Sequence, residues 1–267
     1  MRGALKRKSA EDPAARYCRA VPTVRPAPRY WFWSHDIRPD QVAGLAMPGM
    51  RLQRLVSYRR GAPASRRFAA LYWDDDGAIA APSRTWLVDA DAAAAAAAGP
   101  RAAGVSVDVV PGSGEARFTL ILEPQPDPAR TFHPDLSPAA VAELIDAGHT
   151  VVDLATYLRG GTRVFAAIVE LRTGHHTSFF PALSHADVRR TLGPPGVLPT
   201  RVRAYHSPAG WRLAIVGERI RGTAWSVHVD LDGDDVSSRL EQHRAYPLDL
   251  DAVGHGLSVR FAVVAAA

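Results

Sequence analysis

Asp230-Leu-Asp-Gly-Asp-Asp-Val-Ser-Ser-Arg-Leu-Glu241 has the residue types of a calcium loop. Counted from Asp230, carboxylates fall at the first, third, fifth and twelfth places, the positions from which hard oxygen ligands surround Ca2+. The sixth place, where the sharp turn needs glycine, is Asp235, and the glycine comes early, at Gly233. A turn followed by a helix N-cap explains the same residues and is the preferred reading. Asp74-Asp-Asp-Gly77 is a second acidic group, but it follows its strand where Leu171-Arg-Thr-Gly174 follows another, which marks a solvated turn. His175-His176 has no third ligand at zinc spacing. Cys18 is the single cysteine, so there is no intrachain disulfide and no cysteine zinc site. Pro111-Gly-Ser-Gly114 is a hairpin turn and not a nucleophile elbow; no P-loop, dinucleotide fingerprint or His-Glu-x-x-His occurs. The expectation is therefore no catalytic, cofactor or metal residue. Trp73, Trp86, Trp211 and Trp225 read first as core and strand-pairing residues; on one exposed face they would stack on sugars or peptides.

The elements that would carry these residues repeat. Phe68-Ala-Ala-Leu-Tyr72 recurs as Phe118-Thr-Leu-Ile-Leu122, Phe165-Ala-Ala-Ile-Val169, Leu213-Ala-Ile-Val216 and Phe261-Ala-Val-Val264, at steps of 50, 47, 48 and 48 residues. Such a period belongs to an array of like units. The third copy sets the template. Ser137 caps a short helix that starts at Pro138 and ends at Gly148, with Val141, Leu144 and Ile145 on one face. A strand over 150–157, a turn at Gly160-Gly161, a return strand over 163–170 and a third apolar segment around Phe179 and Phe180 follow. Ser184 opens the next helix, and the alanine run 92–98 stands in phase as the helix of the second copy. Tyr58, Val109, Tyr157, Tyr205 and Ala252 form one phase; Trp86, Phe132, Phe179 and Trp225 form another. The fifth copy stops before its third strand, and Arg29-Tyr-Trp-Phe-Trp33 is predicted to complete the array by pairing with the last repeat or capping the first.

Of the formal charge of +5, residues 1–20 supply +4, so the pI near 9.7 reflects a basic tail and not a nucleic-acid surface. Lys6 and Lys8 are the only lysines. The wealth of Ala, Pro, Gly and Arg is that of a GC-rich, bacterial type of coding sequence. No apolar run reaches the roughly 20 residues that cross a bilayer. The first residues, Met1 to Ser9, are basic but precede no apolar h-region. The expected location is cytoplasmic, or secreted if the true start lies upstream, and neither a membrane nor a nucleic acid is expected as partner.

The helix, the strand ending in tyrosine, the glycine turn, and Phe-Ala-Ala-Ile-Val followed by Thr-Trp or Thr-Phe resemble the tandem repeats of polyglycine hydrolase-like proteins. The likeness spans roughly residues 30–267 and is best at 136–225. It implies the largely β companion domain that accompanies a β-lactamase-type serine hydrolase. That hydrolase needs Ser-x-x-Lys, and no serine here has a lysine three residues on. No hydrolase residue carries over.

The predicted fold is α+β, mainly antiparallel β. A basic tail, 1–28, precedes a single domain, 29–267, of five helix plus three-stranded β-meander repeats (about 36–88, 89–134, 135–182, 183–229 and 230–267) in an incomplete barrel or propeller-like array. The predicted function is a non-catalytic binding or scaffold module for a peptide, polysaccharide or protein, held in a groove between loops of successive repeats. The alternative is a hydrolase with dispersed carboxylates, recognisable by acidic side chains with raised pKa in one deep pocket.

Overall fold

Each recurring phrase forms the middle strand of a three-stranded antiparallel sheet. In the computed structural model, which describes residues 27–74, 84–172, 177–193, 196–220 and 222–267, five such sheets follow one another. They comprise β1 Trp31–Ile37, β2 Met50–Arg60 and β3 Ser65–Asp74; β4 Thr85–Ala90, β5 Ala102–Val109 and β6 Ala116–Leu122; and β7 Arg130–Leu136, β8 His149–Arg159 and β9 Thr162–Leu171. The last two comprise β10 Thr177–Leu183, β11 Val197–Ser207 and β12 Gly210–Arg219, then β13 Trp225–Leu231, β14 Tyr246–His255 and β15 Ser258–Ala266. Phe68, Phe118, Phe165, Leu213 and Phe261 are at most 1% exposed. Both faces of these middle strands are covered, so they read as continuous apolar runs without alternation.

Helices α1 Ala92–Ala98, α2 Pro138–Asp146, α3 His185–Leu192 and α4 Gly233–Gln242 start where caps place them. Asp91, Ser137, Ser184 and Asp232 each accept a hydrogen bond from the backbone N–H three residues on. In the first sheet a 3-10 turn, Pro39–Gly44, takes the helix position.

The sheets are not meanders, and this corrects the repeat frame. In every sheet the short strand pairs with the second strand of the hairpin, as in the order β7-β9-β8, and it is the strand before the helix and not the one after the hairpin. The short strand and the first hairpin strand therefore run parallel on either side of the middle strand. Parallel strands need a crossover, and the helix supplies it. The repeats run 31–74, 85–122, 130–171, 177–219 and 225–266, and the fifth sheet is complete. The Arg29–Trp33 segment leads into β1, which starts at Trp31 and pairs with β3 in the first sheet. It also meets the last repeat: Trp33 Nε1 donates to Ser237 Oγ on α4 at 3.3 Å.

Register also corrects the two residue phases. The position before Phe68, Phe118, Phe165, Leu213 and Phe261 faces Tyr58, Asp108, Tyr157, Tyr205 and Val253 in turn, so Val109 and Ala252 are each displaced by one. Tyr58 and Tyr157 hydroxyls accept from the N–H of Asp36 and Asp135, at 2.9 and 3.0 Å. Those aspartates sit in bulges of the short strands with φ of 62° and 57°, a left-handed conformation that Asp tolerates better than most residues. The second phase is Trp33, Trp86, Phe132, Phe179 and Val227, with Val227 in place of Trp225.

The second phase meets the leading apolar residue of the middle strands across sheet boundaries. Phe118 and Phe132 pack edge-on at 5.1 Å, Phe165 and Phe179 at 5.3 Å, and Phe261 and Trp33 at 5.4 Å. Phe68 shares a cluster with Trp86, and Leu213 with Val227. There are accordingly five apolar clusters, each built across one boundary between sheets, including that between the fifth and the first. Contacts run from β2 to β5, β8, β11 and β14 in turn and from β14 back to β2. Among the described residues no ladder joins one sheet to the next, so this is not a closed barrel. At the last junction β14 approaches β2 so closely that a Cβ on Gly254 would lie 1.5 Å from the Arg59 carbonyl oxygen. Among the described residues, no helix is long and apolar enough to cross a membrane.

Candidate functional site

The first hairpin strands, β2, β5, β8, β11 and β14, are edge strands, and their outer N–H and C=O groups need partners. Side chains of the next inner strand provide them. Ser106 Oγ on β5 accepts from Ser57 N on β2 at 3.3 Å. Asp153 on β8 accepts from Val105 N on β5 at 2.6 Å. Arg201 Nε on β11 donates to Val152 O on β8 at 3.0 Å, and Arg203 Nε donates to Leu154 O. Asp249 and Asp251 on β14 accept from Val202 N and Ala204 N on β11, each at 2.8 Å. Arg54 Nε on β2 donates to Leu250 O on β14 at 3.3 Å and completes the circuit. Each inner strand thus reaches one step back around the axis.

These side chains also meet one another. Arg54 Nη1 and Arg203 Nη2 bind the two oxygens of Asp153, and Arg203 Nη1 lies 2.5 Å from Asp249 Oδ2. Arg54, Asp153, Arg203 and Asp249 are at most 3% exposed. Charges so buried persist only when paired and hydrogen-bonded. Burial alone would raise the Asp153 carboxyl, but the Arg203, Arg54 and Arg201 guanidinia outweigh it and hold it below the usual carboxylate range. Burial would lower Arg203; Asp153, Asp249 and Asp251 reverse this and raise it. For Asp251 burial wins, and its carboxyl is raised despite Arg203 and Arg54. Arg54 is lowered by burial and by Arg203 beside it.

One end of this axis opens into a cavity of about 450 Å³ lined by residues of all five inner strands. Arg54, Ser57, Ser106, Arg203 and Asp251 lie among the buried residues that line it. Arg59, Asp108, Leu158, Arg163, Tyr205 and His206 line it as well. Arg59 grips Asp108 with two bonds, of 2.7 and 2.6 Å. Arg163 lies 4.5 Å over the Tyr205 ring. His206 packs against Trp211 with the rings tilted by 39° and their centroids 4.0 Å apart. Leu158 is 48% exposed. The arrangement offers a polar, charged floor with aromatic and aliphatic walls.

The sequence candidates lie elsewhere. The calcium-like string is a strand end and a helix: Asp232 accepts from Asp235 N at 2.8 Å as the N-cap, and Glu241 lies about two turns down α4. Among the described residues no group of three or more His, Cys, Asp or Glu is placed to hold a metal. Asp75, Asp76, Gly77, His175, His176 and Cys18 fall outside the described residues. Trp73, Trp211 and Trp225 pack against the cluster between the fourth and fifth sheets. Trp73 packs edge-on against Tyr246, Trp86 lies in the cluster between the first two sheets, and Trp225 lies under Arg189. Only Trp211 approaches the cavity, through His206. Sequence reasoning missed the axial residues, although a signal existed: Arg54, Asp153, Arg201 and Asp249 each stand four residues before the tyrosine-phase position, inside apolar strands.

No protein family and no curated protein matches this chain.

Proposed function

We propose that the chain is a non-catalytic binding module, a propeller-like array of five repeats that takes a peptide, glycan or protein segment at the mouth of its axis. The observation that carries this reading is the cavity on which all five inner strands converge. Such a concave site, with polar groups at its base and apolar walls, is the usual form of a ligand pocket. The resemblance to the companion repeats of polyglycine hydrolase-like proteins, without a Ser-x-x-Lys pair, supports the same reading. The ligand enters along the axis and not through a groove between outer loops.

A carboxylate hydrolase is the second reading, and Asp251 favours it, being buried, raised in pKa and on the cavity wall. It needs a second carboxylate free to act as base or nucleophile. Asp108, the other carboxylate lining the cavity, has both oxygens bound by Arg59, and Asp251 itself accepts from Ala204 N. Both are committed to structure.

The test is capture of ligand from cell-wall and cytosolic extracts by the folded chain, compared with Thr156→Trp, which fills the mouth, and Arg190→Ala on the outside of α3. Loss in the first variant alone is expected. Equal capture by all three proteins would remove the axial site.

A further inference from the structure

We infer that the ligand of the axial mouth carries a carboxylate or phosphate group, received between Arg163 and Arg54. This rests on the binding-module reading and narrows it to a chemical class.

The inference comes from how charge is distributed around the cavity. Four guanidinia line it, those of Arg54, Arg59, Arg163 and Arg203, against the carboxylates of Asp108 and Asp251. Arg59 is neutralised by Asp108. Arg203 takes Asp249 and one oxygen of Asp153. Arg54 shares Asp153 with Arg203 and Arg201, and its Nε stands 3.7 Å from Asp249 Oδ1. Its Nη2 is buried and has no hydrogen-bond partner. Arg54 is 2% exposed, and an unpartnered guanidinium nitrogen at that depth is costly. Arg163 makes no ion pair with any described carboxylate; its guanidinium lies over the Tyr205 ring, at 4.5 Å. It is half-buried, and that burial lowers its pKa.

Two cations with unmet demand on one cavity define the guest. A cationic ligand would add like charge to an already positive wall. A neutral glycan would offer hydroxyl oxygens as acceptors but no charge to oppose either guanidinium. A carboxylate or phosphate supplies acceptor oxygens for the Arg163 fork and for Arg54 Nη2, and the desolvated setting strengthens each bond. Tyr205, Leu158 and the His206–Trp211 pair would then flank the rest of the ligand.

The experiment is thermal melting of the whole chain with sodium phosphate or sodium acetate, each against sodium chloride at matched ionic strength. The expected result is a saturable rise in Tm of about 3 °C by about 50 mM anion, beyond the chloride control. Arg163→Gln, on the wall and outside the axial ion pairs, should raise the half-saturating concentration about tenfold, with Arg163→Lys in between. A response to phosphate alone assigns phosphate esters; a response to acetate assigns carboxylates. No rise above chloride, or the same half-saturation in Arg163→Gln, overturns the inference. In either of those cases ligand capture that Thr156→Trp abolishes still upholds the binding module, whereas its absence removes both.

Discussion

The two edges of each sheet meet their neighbours by opposite means. Along the outer half, rings wedge between sheets, as Phe118 does against Phe132 and Phe261 against Trp33. Along the inner half, carboxylates, guanidinia and one serine bind the backbone of the preceding strand and each other. Apolar packing is non-directional, so the fourth sheet can place Leu213 where the others have phenylalanine. The axis has no such latitude. Each Asp or Arg there satisfies a particular N–H or C=O, and Arg54, Asp153, Arg203 and Asp249 are tied into one ion-pair network. We conclude that the outer shell supplies most of the burial and the axis fixes how the sheets are set against one another.

The largest effect expected is from Asp153→Ala, which strips a partner from Arg54 and Arg203 together. The expected loss is about 3–5 kcal/mol by urea unfolding. Its pH dependence has a definite sign. Asp153 is held below its ordinary range in the fold, so its contribution is present above the unfolded carboxyl value and is lost as pH falls through the folded one. The variant should therefore have a flatter acid limb than the parent. A loss below about 1 kcal/mol would reduce the axis to a passive filling.

Gly254→Ala comes next. Its Cβ would meet the Arg59 carbonyl, so β14 or β2 must shift, and about 1–3 kcal/mol should be lost, seen as a lowered urea midpoint. Phe118→Leu probes the outer shell with the residue the fourth sheet already uses; a cost of about 1 kcal/mol is expected by the same measurement. If it cost as much as Asp153→Ala, the contrast between the two edges would fail. The smallest effect belongs to Asp251→Asn, within about 0.5 kcal/mol at neutral pH, because the amide oxygen can still accept from Ala204 N. The raised carboxyl of Asp251 makes the parent lose stability as pH rises from the unfolded carboxyl value through the folded one; the variant should lack that slope.

Much of this was legible in the sequence, for physical reasons that differ by element. Ser137-Pro138 and Ser184 announce helix starts because a cap is a local event, and the Phe-Ala-Ala phrase announces strands covered on both faces. The frame of the repeat was not legible. Whether β10 pairs with the hairpin before it or after it depends on the crossover helix, and no residue in β10 encodes that choice. The tyrosine phase slipped at Val109 and Ala252 because Asp108 and Val253 replace tyrosine, and identity alone cannot carry register. The axial site was invisible for another reason. Arg54 and Asp153 are 99 positions apart in the chain, and only closure of the ring makes them partners.

The most direct test of that closure is a double-mutant cycle on Arg54→Met and Asp153→Leu, read by urea unfolding. The account predicts that each single change costs about 3–5 kcal/mol and that the double costs well under the sum, with a coupling of at least about 2 kcal/mol between the first and third sheets. Additivity to within about 0.5 kcal/mol would contradict it, and the axis would then be five separate edges with no shared centre.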